Sequence, residues 1–457
     1  MDVRSILSEV PDYQSFFTMD EMDRSSHQLA QEYPETVELF EIGRSRRGHP
    51  INCLKIGHGS RNVLAFASPH PNEPIGSTML EFLTRKIASD PKLWKDLDVT
   101  WYCIKSVDPD GTKLNEGWFK GPYNILNYAR NFFRPAGFEQ VEWTFPFEYK
   151  TLKWDKPIPE TAALAALIRE IKPVFMYSLH NAGFGGVYWY ISEDMPEVYP
   201  KLWALVDELG LPLRLGEPEM PYAKAFAKAV YRQSSTKDNY EYVAKFQKKD
   251  PALVIKHGGG SFDFVKEVCD AFTLVCEAPY FFNTDIANLS DSDMLRSEAV
   301  LVSCDISDEF NDFCREHVQR MERYVTPGNS LFTAVKAFSQ AGSSESKRNW
   351  AMTSPECQRM ATVAEKFTNL YSTRFYSALS VGMLMRSAQR ELCEDPDAPE
   401  DKAETLKQVR DLAWDKLKAT CEFLEREIDY QVVPIRKLVT IQLASGLYYL
   451  NEVLKKS

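Results

Sequence analysis

No two of the nine cysteines in this 457-residue chain are spaced C-x-x-C, which excludes the common cysteine-based zinc sites. The set is odd in number and scattered from Cys53 to Cys421. It therefore argues for reduced thiols rather than a disulfide framework, and a cytoplasmic location is expected. Long apolar runs are missing too: none approaches the ~18 residues that a transmembrane helix needs. The opening stretch, MDVRSILSEVPDYQSFF, carries acids where a secretory signal would be apolar, so neither a membrane span nor a signal is expected. Basic clusters are equally scarce. With 54 basic against 65 acidic residues the net charge is −11, and such a surface repels nucleic acid and anionic membrane. A peptide or a small molecule is the expected partner.

What is present is a soluble globular composition, 44% hydrophobic and 26% charged, in a chain too long for one ordinary core. Four short apolar runs read as strands: NVLAFAS (62–68), VTWYCIKS (99–106), VFMYSL (174–179) and AFTLVC (271–276). Helical patterns separate them. Ile75, Met79, Leu83 and Ile87 recur every four residues behind Pro74, and PETAALAALIREIKP is alanine-rich between prolines. This alternation predicts an α/β fold, with a mixed, largely parallel central sheet flanked by helices. From about Ser292 the strands stop, and breakers at TPGN (326–329), AGSSESK (341–347) and CEDPDAPED (393–401) separate long helical segments. The expected division is an α/β domain over 1–325 and an all-α helical bundle over 326–457. The bundle's role is left open between a stabilising cap and a surface for oligomerisation or a protein partner.

Titratable residues follow the strands in a regular way. His70 and Asp108 each stand two residues beyond their runs, while His180 and Glu277 follow theirs directly. In open parallel sheets ligands bind outside the carboxyl ends of the strands, so these residues are expected to meet. Only seven histidines exist in the chain, and two of them occupy such places. A hydrolytic zinc ion takes three protein ligands and keeps one position open, and two histidines plus a carboxylate form a common set. His70, Glu73 and His180 supply that set, leaving Glu277 as a proton acceptor. An H-x-x-E pair alone reads as readily as an ordinary loop; the placement at strand ends is what favours a metal.

Several phrases then carry a family resemblance. EIGRSRRGHPI, HPNE, DPDG (108–111), YARNF (128–132), SLHNAG, GGSFDF (259–264) and LVCEAP occur in this order. With them the chain resembles the zinc metallocarboxypeptidases of the carboxypeptidase A superfamily over about residues 15–325. The resemblance implies one Zn²⁺ held by His70, Glu73 and His180, with Glu277 as general base and then proton donor. It implies that Arg130 pairs with the terminal carboxylate of the substrate, a task that suits a planar guanidinium fork. Departures accompany the match. Ala129 stands where relatives carry asparagine, so that one carboxylate contact is either absent or supplied by Asn131. No arginine occurs in EGWFKGPYN to polarise the scissile carbonyl, and Lys120 is the nearest cation. Ile255 occupies the place of the mobile tyrosine, with His257 as a nearby stand-in. Phe262, after Ser261, occupies a position that sets side-chain preference in relatives; without an acid there, basic terminal residues are disfavoured. Tyr188, Trp189 and Tyr190 read either as pocket wall or as a core strand edge.

The expected activity is hydrolysis of an amide bond next to a residue with a free carboxylate. Two alternatives remain: an amidohydrolase that deacylates N-acyl amino acids, and a catalytically silent zinc or peptide-binding module.

Overall fold

The computed structural model describes residues 1–247, 250–340 and 344–456. The four apolar runs occupy the middle of a nine-stranded sheet, because side chains buried on both faces must be covered on both. Its strands are β1 (Val37–Arg44), β2 (Pro50–Ile56), β3 (Arg61–Ala67), β4 (Val99–Ile104), β5 (Phe175–Leu179), β6 (Tyr188–Ile191), β7 (Ala225–Ala227), β8 (Val230–Arg232) and β9 (Phe272–Glu277). Their spatial order is β1-β2-β4-β3-β5-β9-β6-β8-β7. The neighbours β4, β3, β5 and β9 are mutually parallel, so their carboxyl ends lie along one edge. Antiparallel β1 and β2 extend one side, and β6 runs antiparallel to β9. The sheet is mixed, with a parallel core.

Helices on the two faces follow from the period-two alternation of the strands. Val63, Ala65 and Ala67 face one cluster with Met79 and Leu83 of α1 (Ile75–Ser89). Leu64 and Phe66 face another with Leu164 and Ile168 of a second helix, Pro159–Ile171. That helix, α4, follows α2 (Pro109–Phe119) and α3 (Ile125–Asn131) and precedes α5 (Ser261–Val268). Pro159 opens it at a position where a missing N–H costs nothing, and Lys172 ends it at φ 43°.

The helical part comprises α6 (Arg296–Met321), α7 (Ser330–Gln340), α8 (Glu345–Thr353), α9 (Thr373–Glu394), α10 (Glu400–Glu427) and α11 (Ile435–Lys456). Two expectations need correction here. The boundary at 325 does not separate two cores: one apolar cluster contains Ala65 and Tyr177 together with Leu384, Leu417, Leu443 and Leu447. Helix α11 lies on the sheet beside α1, and Gly446 permits the contact, since a Cβ there would stand 2.9 Å from the Tyr177 ring. Nor do strands stop at Ser292. Asp291–Leu295 pairs with Met360–Thr362, and Phe281–Phe282 pairs with Gln431–Val432. These short ladders tie the helices to the sheet, and segments this brief leave no alternation to read. No helix among the described residues is long and apolar enough to cross a membrane.

Candidate metal centre and active site

The loop after β3 turns at Ser68, which takes φ 55°, and closes with a Glu73 N–H to His70 carbonyl hydrogen bond of 3.1 Å. It brings His70 and Glu73 to the carboxyl edge of the sheet beside His180, the residue after β5. All three are buried, and one ligand atom from each lies within 4.8 Å of the others. His180 Nδ1 stands 3.1 Å from Glu73 Oε2, which also accepts the Asn181 N–H at 3.2 Å. On its far side, Nε2 of His180 contacts Ser178 Oγ at 2.9 Å and lies 3.7 Å from Glu142 Oε2. Nδ1 of His70 is buried without a hydrogen-bond partner. A buried imidazole nitrogen without a partner is costly unless something binds it, so the donor set fits a divalent metal. Nε2 of His180 is engaged from behind, which leaves Nδ1 as the nitrogen that would be offered to a metal.

Electrostatics follow from burial and crowding. For His180, burial opposes protonation, but hydrogen bonds to Glu142 and Glu73 outweigh it and push the pKa up to about 10. For His70, burial and then the charges of Arg134 and His180 drive the pKa down. Glu277, at the end of β9, lines the same cavity of about 280 Å³. Burial holds its carboxyl well above the usual range; Glu73 and Glu219 add to this, while His180 and Arg134 pull the other way.

The remaining expected residues divide differently. Lys120 is corrected outright: its Nζ is bound by the Glu21 carboxylate at 2.7 and 2.9 Å and by the Phe16 carbonyl at 3.0 Å, away from the cavity. Arg130 lies on the exposed side of α3, with its guanidinium 5.6 Å from the Trp414 ring, and does not line the cavity. The buried face of that short helix carries Ile125, Tyr128 and Ala129, which turns position 130 outward. Asn131 Nδ2 donates back to Asn127 at 3.0 Å, so it too is occupied elsewhere. Phe262 is buried beneath Lys266 and does not reach the cavity. His257 donates its Nδ1–H locally to the Gly258 carbonyl, 2.9 Å away, and backs Trp143, which does line the wall. Of the three aromatics in β6, Tyr190 lines the cavity, whereas Trp189 is tied to Ser445 Oγ at 2.8 Å.

Two residues went unread. Arg134, four positions beyond Arg130, is the one lysine or arginine lining the cavity among the described residues, and its Nη1 lies 3.5 Å from Glu73 Oε1. Helix α3 ends at Asn131 and Phe132 is extended, which swings the chain back toward the site. Its sequence signal was a second arginine in the phrase YARNFFRP. Glu142 had no signal beyond its charge. It is anchored by the Ser261 N–H at 2.9 Å and by Ser261 Oγ at 2.8 Å, and in turn supports Ser178 and His180.

The zinc carboxypeptidase profile matches residues 22–281, more than half of the chain. The chain belongs to the zinc carboxypeptidase family. As a zinc carboxypeptidase-family chain it is similar to carboxypeptidase B of Astacus astacus, 25% identical over 105 residues, which is 22% of this chain and 35% of that protein. It is also similar to carboxypeptidase D of Anas platyrhynchos, 24% identical over 244 residues, 48% of this chain and 16% of that one. The matched regions thus span about a third or less of these relatives. Among solved structures, carboxypeptidase A from Helicoverpa armigera aligns with a TM-score of 0.34 and 14% identity, covering 61% of this chain and 69% of that one. The family is zinc-dependent, and the His70–Glu73–His180 cluster is a site that could hold that metal.

Proposed function

We propose that this chain is a zinc-dependent metallocarboxypeptidase that hydrolyses an amide bond next to a residue bearing a free carboxylate. The observation carrying this reading is the convergence of His70, Glu73 and His180 with Glu277 in one buried cavity at the carboxyl edge of the parallel strands. His70, Glu73 and His180 would hold one zinc ion. When bound, zinc supplies Lewis-acid chemistry and makes water a competent nucleophile near neutral pH.

The chain's own groups do the rest. Glu277 takes the proton of the attacking water on a carboxylate oxygen and returns it to the departing nitrogen. Burial and the charges of Glu73 and Glu219 give that oxygen a stronger grip on the proton than a solvated carboxylate has. Arg134 donates to the carbonyl oxygen as charge develops there, the part first assigned to Lys120. Glu142 and Ser178 hold His180 by Nε2, keeping Nδ1 directed at the cluster.

Zinc-loaded protein is assayed against a panel of short peptides and N-acyl amino acids. Glu277→Gln is expected to lower kcat by about 10²–10⁴-fold with unchanged zinc content. Full turnover by this variant would contradict the mechanism. Cleavage of acyl amino acids alone would favour the amidohydrolase, and hydrolysis of nothing, with or without zinc, the silent module.

A further inference from the structure

A second chamber, of about 510 Å³, adjoins the catalytic cavity, and Phe132, Arg134, Glu219, Tyr376 and Leu379 line both. Its far wall is helical: Asn311 of α6, Lys347 of α8 and Met383 of α9 contribute to it. Part of that wall is the five-residue π-helical turn Thr368–Ser372. Such turns are rare and concentrate at functional sites.

The charges in this chamber do not cancel. Arg134, Arg214 and Lys347 line it, facing the carboxylates of Glu217 and Glu219. Glu217 is already taken by Arg296, through contacts of 2.8 and 2.7 Å. Glu219 accepts from the hydroxyls of Tyr188 at 2.6 Å and Tyr190 at 3.2 Å, and comes no nearer to Arg214 than 3.8 Å. Arg214 is buried; its two terminal nitrogens donate to the Tyr188 hydroxyl and the Glu217 carbonyl at 3.2 Å, and its Nε has no partner. Lys347 Nζ donates to Ser303 Oγ at 2.8 Å, and among the described residues no carboxylate lies within 4.0 Å of it. Ser372 Oγ is a further buried hydroxyl without a partner. Desolvated cations with unused donors are costly unless an anion completes them. This cationic chamber lies inside a chain whose net charge is −11.

We propose that the second chamber recognises a carboxylate on the substrate, with Lys347 and Arg214 as the recognising cations; this rests on the hydrolase reading above. The carboxylate is either the α-carboxylate of the terminal residue or an acidic side chain, and both present the same chemistry to the chamber. The helical part of the chain then sets specificity rather than only covering the sheet.

The test uses zinc-loaded protein and four matched peptides, ending in glutamate or glutamine, each as free acid or as amide. Loss of one of the two carboxylates is expected to lower kcat/KM by at least about tenfold, and the arm that responds identifies the source. In Lys347→Met that ratio is expected to collapse toward one, and in Lys347→Arg to persist, which separates recognition from a folding defect. Ratios that survive unchanged in Lys347→Met overturn the proposal. If no peptide is hydrolysed, the hydrolase reading fails separately, and calorimetric binding of the same peptides decides the chamber. A charge preference lost in Lys347→Met supports it, and the absence of any preference overturns it.

Discussion

Arg134 and Arg130 lie four residues apart and make a direct comparison. Arg134 is beside Glu73 in the cavity, whereas Arg130 stacks on Trp414 at the surface. Arg134→Gln is expected to lower kcat/KM by about 10²–10³-fold, as loss of a donor to a developing oxyanion does. Arg130→Gln should change it by less than about twofold, because it removes only an exposed ring contact. The reverse ranking, in steady-state kinetics on one peptide, would restore the original assignment. Asp108 offers a second test through pH. Its Oδ1 accepts the Gly111 N–H at 2.9 Å, while Oδ2 is buried without a partner. Burial raises its pKa from 3.8 to about 7, against the pull of that N–H and of Arg46. The folded state therefore holds this proton more tightly than the unfolded chain, and stability falls as pH rises from the unfolded value through 7. Asparagine keeps the cap and never ionises. The stability advantage of Asp108→Asn over the parent should widen by about 1 kcal/mol between pH 6 and 8, measured by denaturant unfolding. The convergence of His70, Glu73 and His180 was legible in sequence because strand ends announce it. Arg134 was not, because the turn of a seven-residue helix decides which of two nearby arginines faces inward.

Elements differ in how plainly they could be read, and burial is the reason. The run VLAFA (63–67) is apolar throughout because that part of β3 is covered on both faces, whereas β1 and β2 lie toward the sheet edge with weaker patterns. Helix α9 was legible as a helix, but not its role at the site. Arg386, on α9, donates to the carbonyls of Asn131 at 2.7 Å, Phe132 at 2.9 Å and Leu114 at 2.7 Å. Desolvation lowers its pKa to about 10. Nearby, Gly382 admits the Ala129 carbonyl, whose oxygen would stand 2.1 Å from any Cβ. These contacts fix the end of α3 and so the segment that carries Arg134 into the cavity. Arg386→Met leaves three carbonyls without their donor and should cost about 2–4 kcal/mol of stability. It should also lower kcat/KM by more than about tenfold at temperatures where the variant is fully folded, because Arg134 loses its placement. Activity equal to the parent under those conditions would mean that the segment is held by its other contacts.

At the scale of the molecule, the two-domain expectation failed because helical periodicity reveals a helix but not what it packs on. Helix α11 buries Ile435, Leu438, Val439, Ile441, Leu443, Leu447, Leu450 and Val453. It meets the site directly: Gln442 Nε2 donates to the carbonyl of His180, and the Tyr177 hydroxyl donates to the Gln442 carbonyl at 3.0 Å. At about 1.5–3 kcal/mol for each large apolar side chain, these eight contribute roughly 12–24 kcal/mol. That is comparable to the whole net stability of a folded protein, about 5–15 kcal/mol. A chain shortened to residues 1–434 keeps His70, Glu73, His180 and Glu277, yet it uncovers one face of the sheet between α1 and the helix Tyr199–Glu208. It should lack a cooperative thermal transition, bind a hydrophobic dye and hold no zinc at stoichiometry. If it instead melted cooperatively and bound one equivalent of zinc, the sheet would be self-sufficient, and α11 would be an addition to a domain that folds without it.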